Sequence, residues 1–286
     1  FANIIDKGPI GIVAASGTGA QEVSSIIARN GLGISQLIGT GGRDLKETIG
    51  GLEMIKDLKA LDADNDTEVI ILISKPPARS ISEKLINEAD KVDKKVIINF
   101  LGGDKKLLKG KDLIWSETLQ DAAYEAIKYV NDDSELSLET ELSEDELEEV
   151  ADYEINKMKD KQKYVRGLYT GGTLASEALI QLSKNRKIYS NISLKEKYSL
   201  DEDLKSIENT IIDLGEDEFT QGRPHPMIEP ELRSERLLEE IEENKQIAVI
   251  LLDVVLGYGS HEDPAGIIAK TVRKAKEKVR ERGGYL

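Results

Sequence analysis

Apolar residues fall in short runs separated by polar, glycine-bearing stretches. Ile10 to Ala14 is one such run, bounded by glycine, and predicts a buried strand. Ser16-Gly17-Thr18-Gly19 follows as a tight loop. From Ala20 to Asn30 the residues Ala20, Val23, Ile26 and Ile27 share one helical face, and Gly31 stands where a helix stops. A second strand, Ser35 to Ile38, runs into Gly39-Thr40-Gly41-Gly42-Arg43-Asp44. The pattern continues as a helix over Leu52 to Leu61, a strand Val69 to Ile73, a helix Ser82 to Val92 and a strand Val96 to Phe100. Strands that alternate with helices predict an α/β unit, its parallel sheet covered on both faces.

The second half repeats this plan. Gly17-Thr18-Gly19-Ala20-Gln21-Glu22 and Gly172-Thr173-Leu174-Ala175-Ser176-Glu177 share G-T-x-A-x-E, and each follows a short apolar run and opens an apolar helix. The strand ending at Gly39 has its counterpart in Thr210 to Leu214, and Val69 to Ile73 in Val249 to Asp253. Agreement of order and spacing over three strands predicts an internal duplication. Between the halves Asp132 to Glu149 is acidic, and Ser143-Glu144-Asp145-Glu146 has the form of a helix start in a solvated linker. Asn185 to Asn209 is polar and is expected to be peripheral. The expected division is a first domain over 1–130, an acidic helical linker over 131–163 and a second domain over 164–286.

Composition narrows the function. A net charge of −15 argues against nucleic acid as a partner, since a phosphate backbone asks for a basic footprint. No apolar run is long enough to span a bilayer, so no membrane partner is expected. The chain has no cysteine, which removes disulfides and thiol catalysis and fits a reducing, cytoplasmic setting. His225 and His261 are its two histidines, too few for a multi-histidine metal centre, and no metal is expected. The chain opens on Phe1 and ends on Gly283-Gly284-Tyr285-Leu286 just after a charged helix pattern. It therefore reads as a piece of a longer protein, without a signal-peptide pattern and with its second domain cut short.

The glycine-rich loops carry the candidate chemistry. Each stands at the carboxyl end of a predicted strand, where ligands of parallel sheets bind. The first amides of a helix have no partner within it and carry partial positive charge, and glycine lets a ligand approach them. Ser16, Gly17, Thr18 and Gly19 in one half, and Thr170, Gly171, Gly172 and Thr173 in the other, are thus candidate cradles for a phosphate. In the alternative reading each is a capped strand-to-helix turn. The two turns are expected to face one shared pocket holding a small anionic substrate. Arg43 is a candidate for pairing with that anion, or else with its neighbour Asp44. Lys75 and Arg79 flank Pro76-Pro77 after the third strand, as anion contacts or as an ordinary polar loop. Gly222-Arg223-Pro224-His225-Pro226 holds Arg223 and fixes His225 between two prolines, for a ligand contact or a structural hydrogen bond. His261, beyond Gly257-Tyr258-Gly259, is a weaker candidate. Asp253 ends an apolar strand and is placed to orient a loop or a ligand.

The strings G-I-V-A-A-S-G-T-G-A-Q-E, G-T-G-G-R-D-L, S-K-P-P-A, G-L-Y-T-G-G-T-L-A-S-E-A, I-I-D-L-G, G-R-P-H-P-M-I and L-L-D-V-V-L-G-Y-G resemble the FdrA branch of the acyl-CoA synthetase family, related to the succinyl-CoA synthetase alpha subunit. The resemblance spans nearly the whole chain outside Asp132 to Gln162 and Asn185 to Asn209. It implies two flavodoxin-like ligase domains, one alpha-like and one beta-like, whose helices point at phosphate. By it Ser16, Gly17 and Thr18 match a first phosphate loop, and Gly171, Gly172 and Thr173 match a second less closely. It also implies a phosphohistidine after the fourth strand, but this chain reads Phe100-Leu101-Gly102-Gly103-Asp104-Lys105-Lys106 there. The glutamate that would orient such a histidine falls near Lys75 and is missing too. A separate CoA-binding domain is expected to lie outside these residues.

FdrA-type proteins resemble subunits of an oxamate carbamoyltransferase of allantoin degradation, which implies carbamoyl phosphate as a substrate. Three functions follow. The first is acyl or carbamoyl transfer involving a phosphate, with Arg43, Lys75, Arg223 and His225 about the reacting group. The second is a CoA-dependent acyl-CoA ligase, with CoA used by the full-length protein. The third is an anion-binding assembly subunit whose chemistry lies on a partner chain. All three carry the expectation of a homo- or hetero-oligomer.

Overall fold

The apolar runs of the first half pair side by side because each is apolar on both of its faces. The computed structural model describes residues 3–133, 142–159, 161–193 and 195–286, which form two compact units. In the first, β1 (Lys7–Ala14), α1 (Gly17–Arg29), β2 (Ile34–Gly39), α2 (Leu52–Ala63), β3 (Val69–Ser74), α3 (Arg79–Ala89), β4 (Lys95–Phe100), β5 (Leu113–Trp115) and α4 (Leu119–Asn131) follow in order. The strands make one sheet in the order β2-β1-β3-β4-β5, every pair parallel. That is the flavodoxin-like order, with the connection reversing direction beside β1.

Alternation along the strands divides the core into two layers. Val13, Ile70, Leu72, Val96, Ile98 and Phe100 face Met54, Leu58 and Leu61 of α2 and Ile81, Leu85 and Ile86 of α3. α1 and α4 pack on each other and on the strands from the opposite side. Ile10, Ile12, Ile71 and Ile97 are fully buried, and each such side chain stabilises the fold by roughly 1.5–3 kcal/mol.

After α5 (Glu144–Ile155), the second unit runs β6 (Tyr164–Tyr169), α6 (Gly172–Ser183), β7 (Tyr189–Ser190), β8 (Thr210–Asp213), α7 (Asp217–Thr220), α8 (Glu231–Glu243), β9 (Ile247–Leu252) and α9 (Pro264–Glu281). Its sheet order is β7-β8-β6-β9, again all parallel. The triplet β8-β6-β9 repeats β2-β1-β3 in order and direction, as the duplicated strings require. The fold is α/β with two parallel-sheet units. Leu237 and Ile241 of α8 and Ile268, Ala275 and Val279 of α9 cover Leu168 and Ile212, while Ala175 and Leu179 of α6 cover Ile211.

Several boundaries differ from the sequence reading. α1 begins at Gly17, so Gly17, Thr18 and Gly19 form its first turn instead of a loop. Ser16 is the cause: its extended backbone and its hydroxyl, which accepts from the Gly19 amide at 2.9 Å, cap the helix there. α3 likewise starts three residues early, at Arg79, directly after the proline pair. β5 and α4 were not anticipated, although Thr118 and Asp121 form a reciprocal capping box that marks the start of α4. Asn185 to Asn209 is not wholly peripheral. It supplies the edge strand β7, with Ser190 and Ile188 buried. α5 starts where expected, on a capping box of Ser143 and Glu146, and Tyr285 donates from its hydroxyl to Glu154 in its last turn. Part of the acidic stretch, 134–141, lies outside the described residues. No described helix is long and apolar enough to cross a membrane.

The second unit buries an ion pair near the start of β6. Arg166 donates from Nε to Glu240 at 2.7 Å, and both side chains are almost wholly covered. Arg236 and Ser206 also donate to Glu240, and Arg166 reaches the carbonyl of Glu208. Removing one member leaves the other charge buried and unpaired. Glu240→Ala is expected to destabilise the protein by about 3–5 kcal/mol in urea unfolding, and the double change Glu240→Leu with Arg166→Leu to restore most of that loss.

Candidate functional site

The first unit gathers its candidates at the carboxyl ends of its strands. α1 has no acidic residue in its first turn, so its N-terminal amides keep their partial positive charge. The Ala15 amide is taken by the carbonyl of Ile73 and the Gly19 amide by Ser16 Oγ. Of the expected cradle this leaves Gly17 and Thr18, at the first two helical positions, to offer amides outward. A side chain built on Gly17 would meet nothing within 4 Å, so the approach is open.

Arg43 is exposed in the loop after β2 and forms no ion pair among the described residues. The alternative partner proposed for it is committed elsewhere. Asp44 is buried, and its two oxygens accept from the amides of Glu53 and Met54 at 3.0 Å each, capping α2 from a distance. Lys75 is half-buried at the end of β3. Arg79 is exposed and pairs with Glu83 one turn along its own helix. Thr40 Oγ1, Ser74 Oγ and Asn99 Oδ1 are buried without a hydrogen-bond partner near the ends of β2, β3 and β4. Sequence reasoning missed them; the signal was a polar residue at or near the end of each apolar run.

In the second unit the loops after β6, β8 and β9 meet around Asp253. Its carboxylate is buried and accepts from the amides of Thr170 at 2.9 Å and Gly171 at 2.6 Å, from the Thr170 hydroxyl, and from Arg233 at 2.8 Å. Thr170 and Gly171 therefore cannot offer those amides to a ligand, which corrects the expected four-residue cradle. The helix itself begins at Gly172, has no side-chain cap and has no acid in its first turn, so Gly172 stands as its opening amide. Arg233 was missed. It stands on α8 one turn before Leu237 and two before Ile241, a charge at the core-facing position of a helical stripe. Burial lowers its pKa against the opposing pull of Asp253. Burial, then Asp253 and Glu177, push the Tyr169 hydroxyl up to about 12.

His225 is half-buried between its two prolines. Its Nδ1 accepts from the Met227 amide at 3.1 Å, so in the neutral ring the proton sits on Nε2. The ring lies against Gly215, after β8: a Cβ there would stand 2.5 Å from Nε2 and 3.1 Å from the carbonyl of Thr170. Both readings of His225 thus touch the structure, a local hydrogen bond and a place beside the β6–α6 turn. His261 donates its amide to the carbonyl of Met227, and its Nδ1 accepts from the Asp263 amide. Met227 therefore ties together the two loops that carry the histidines. Arg223 is exposed and forms no ion pair among the described residues. No group of three or more His, Cys, Asp or Glu among the described residues is arranged to hold a metal ion.

An α/β protein with an open helix start in each of two matched units is the class this geometry defines. Comparison with known proteins narrows it. Residues 6–103 match the CoA binding domain family, and residues 168–281 match the CoA-ligase family. The first description differs from the ligase-type domain expected there, and it sets a CoA-binding likeness inside these residues, not beyond them. YahF of Escherichia coli (strain K12), an uncharacterized protein, is 42% identical over 278 residues, covering 96% of this chain and 53% of that one. The chain thus spans about half the length of that relative. The SauD subunit of an ADP-forming sulfoacetate-CoA ligase from Bilophila wadsworthia (strain 3_1_6) is 28% identical over 100 residues, 35% of this chain and 33% of that one. The structure of PH0766 from Pyrococcus horikoshii OT3 aligns with a TM-score of 0.32 and 14% identity, over 94% of this chain and 61% of that one. The two family matches, together with the likeness to YahF and SauD, support an acyl-CoA synthetase-like family.

Burial lowers the pKa of His225, while the charge of Asp253 works weakly the other way. The folded protein thus favours the neutral ring. The stability it contributes is complete above the unfolded-state pKa and is lost as pH falls through the folded one. In Gly215→Ala the new methyl group displaces the ring toward water. An NMR titration is expected to show His225 titrating below the ordinary value of 6.5 in the natural chain and closer to it in the variant. An unchanged titration would place the ring elsewhere.

Proposed function

We propose that this chain is the acyl-transfer portion of a longer acyl-CoA synthetase-like enzyme, in which an acyl or carbamoyl group passes between phosphate and an acceptor, CoA first among them. The observation that carries this reading is the matched pair of helix starts. Gly17 and Thr18 in one unit, and Gly172 and Thr173 in the other, open uncharged, acid-free first turns at the same place in the same strand order. Such turns suit the phosphate of an acyl phosphate or the pyrophosphate of CoA, because their amides stabilise negative charge without a counter-ion to desolvate. Arg43 and Arg223, exposed in the loops after β2 and β8, are proposed to neutralise the departing phosphate. The likeness to a CoA-binding and a CoA-ligase domain supports the same chemistry.

A specific observation favours transfer without a phosphorylated histidine. The turn after β4, Leu101 to Lys106, contains none, and both histidines lie in the second unit with Nδ1 occupied by a backbone amide. A protonated Nε2 is a donor to an oxyanion and not a nucleophile. This leaves carbamoyl transfer, as in the FdrA-type proteins the sequence resembles, as the second reading.

Gly17→Asp tests the proposal. The position has room for a side chain, and an acid in a first turn does not harm a helix. Calorimetry on the unaltered chain is expected to show binding of CoA, of carbamoyl phosphate, or of both. The variant should fold normally and lose about tenfold or more in affinity, about 1.4 kcal/mol. Binding of neither ligand, or equal binding by the variant, would contradict the proposal. Incubation with a γ-labelled nucleoside triphosphate is expected to leave no acid-labile phosphate on the chain, and a labelled histidine would restore the phosphohistidine route.

A further inference from the structure

We infer that Asp253 and Arg233 form a positioning pair that fixes the turn between β6 and α6 and withholds two of its amides from any ligand. The inference rests on the anion-handling role proposed for that turn, and it identifies the atoms that set the turn's shape.

Asp253 follows directly on β9, beside the end of β6. Its Oδ1 accepts from the Thr170 amide and from Arg233, its Oδ2 from the Gly171 amide, and the Thr170 hydroxyl lies 3.2 Å from both oxygens. One carboxylate thus takes up the last amides before the helix, a place that an incoming anion would otherwise hold. Charge-assisted bonds of this kind are short and about twice as strong as neutral ones. A buried carboxylate needs a counter-charge, and Arg233 supplies it from the first turn of α8. The same Arg233 nitrogen donates to the carbonyl of Asp253 at 2.6 Å, so it fixes the backbone as well as the side chain.

The first unit manages the equivalent turn without a charge. There the Ala15 amide is met by the carbonyl of Ile73 at 2.9 Å, and the matched strand ends in Ile73 and Ser74. The duplication has therefore diverged at this point. In the second unit an internal anion presets the turn, and a ligand meets only the amides from Gly172 onward.

The test uses the full chain in three forms: natural, Asp253→Asn, and the double variant Asp253→Leu with Arg233→Met. Two readouts are taken, hydrogen exchange with amide shifts at Thr170 and Gly171 without ligand, and titration with inorganic phosphate followed at Thr170, Gly171 and Gly172. The double variant leaves no buried charge unpaired and is expected to unfold near the natural midpoint. Its Thr170 and Gly171 amides should exchange about 100-fold faster, and phosphate should now shift these two amides, which it leaves unmoved in the natural chain, as expected for donors released from charge-assisted bonds. Asp253→Asn keeps one acceptor oxygen, so one of the two amides should lose protection and the other keep it.

Unchanged protection in the double variant, or loss of both amides' protection with phosphate still failing to shift them, would overturn the inference. If the double variant fails to fold, the single variant decides, and equal protection of both amides in it would overturn the pair's role. If the natural chain does not respond to phosphate, the anion reading of the turn fails, and the positioning role is then judged on the exchange data alone.

Discussion

The first amides of a helix have no acceptor inside it, and a parallel sheet places such a helix start beyond the end of nearly every strand. This constraint organises both units. Each must either satisfy those amides itself or leave them to something else. At α1 the solution is a serine hydroxyl, which takes the third amide and leaves the first two outward. At α6 it is a carboxylate, which takes the two amides before the helix and leaves those within it. α2 is closed by the buried carboxylate of Asp44, and α4 by the reciprocal pair Thr118 and Asp121. α3 has neither a side-chain cap nor an acid in its first turn, and α1 and α6, also free of acid there, are the two that repeat the G-T-x-A-x-E string.

The charge pattern fits the same division. A chain with a net charge of −15 repels anions on average, so an anion is held only where local donors outweigh the surrounding field. Uncapped amides with no acid in the first turn provide such donors, and the exposed Arg43 and Arg223 stand in loops of the same sheet edges. In the second unit two buried ion pairs are turned inward. Asp253 pairs with Arg233, and Glu240 with Arg166, so both pairs stiffen the unit and neither is open to a ligand. The likeness to CoA-binding and CoA-ligase domains supports the proposed handling of a phosphate-bearing ligand.

Much of this architecture was legible in the sequence, because buried parallel strands are short unbroken apolar runs and the covering helices keep a 3.6-residue stripe. The repeated string gave the duplication, and the topology of β8-β6-β9 against β2-β1-β3 bears it out. Elements with weaker apolar contrast escaped: β5 has three residues, β7 has two, and α4 is rich in alanine. Candidate residues were legible as far as local chemistry defines them. Ser16 beside glycine reads as a cap or a cradle, and in the structure its hydroxyl is a cap. Asp253 stood out as an acid ending an apolar strand, but its partner Arg233 lies 20 residues away on another element. No local pattern reveals such a pair. The same holds for His225, whose proton position is set by Met227 and whose environment is set by Gly215 on a different loop.

The central claim is that anionic ligands meet the backbone at the starts of α1 and α6. A crystal of this chain grown with a stable phosphonate analogue of an acyl phosphate tests it most directly. The account predicts phosphonate density within hydrogen-bond distance of the amides of Gly17 and Thr18, or of Gly172 and Thr173. Density confined to surface lysines, or lying on the amides of Thr170 and Gly171 with Asp253 displaced, would contradict it.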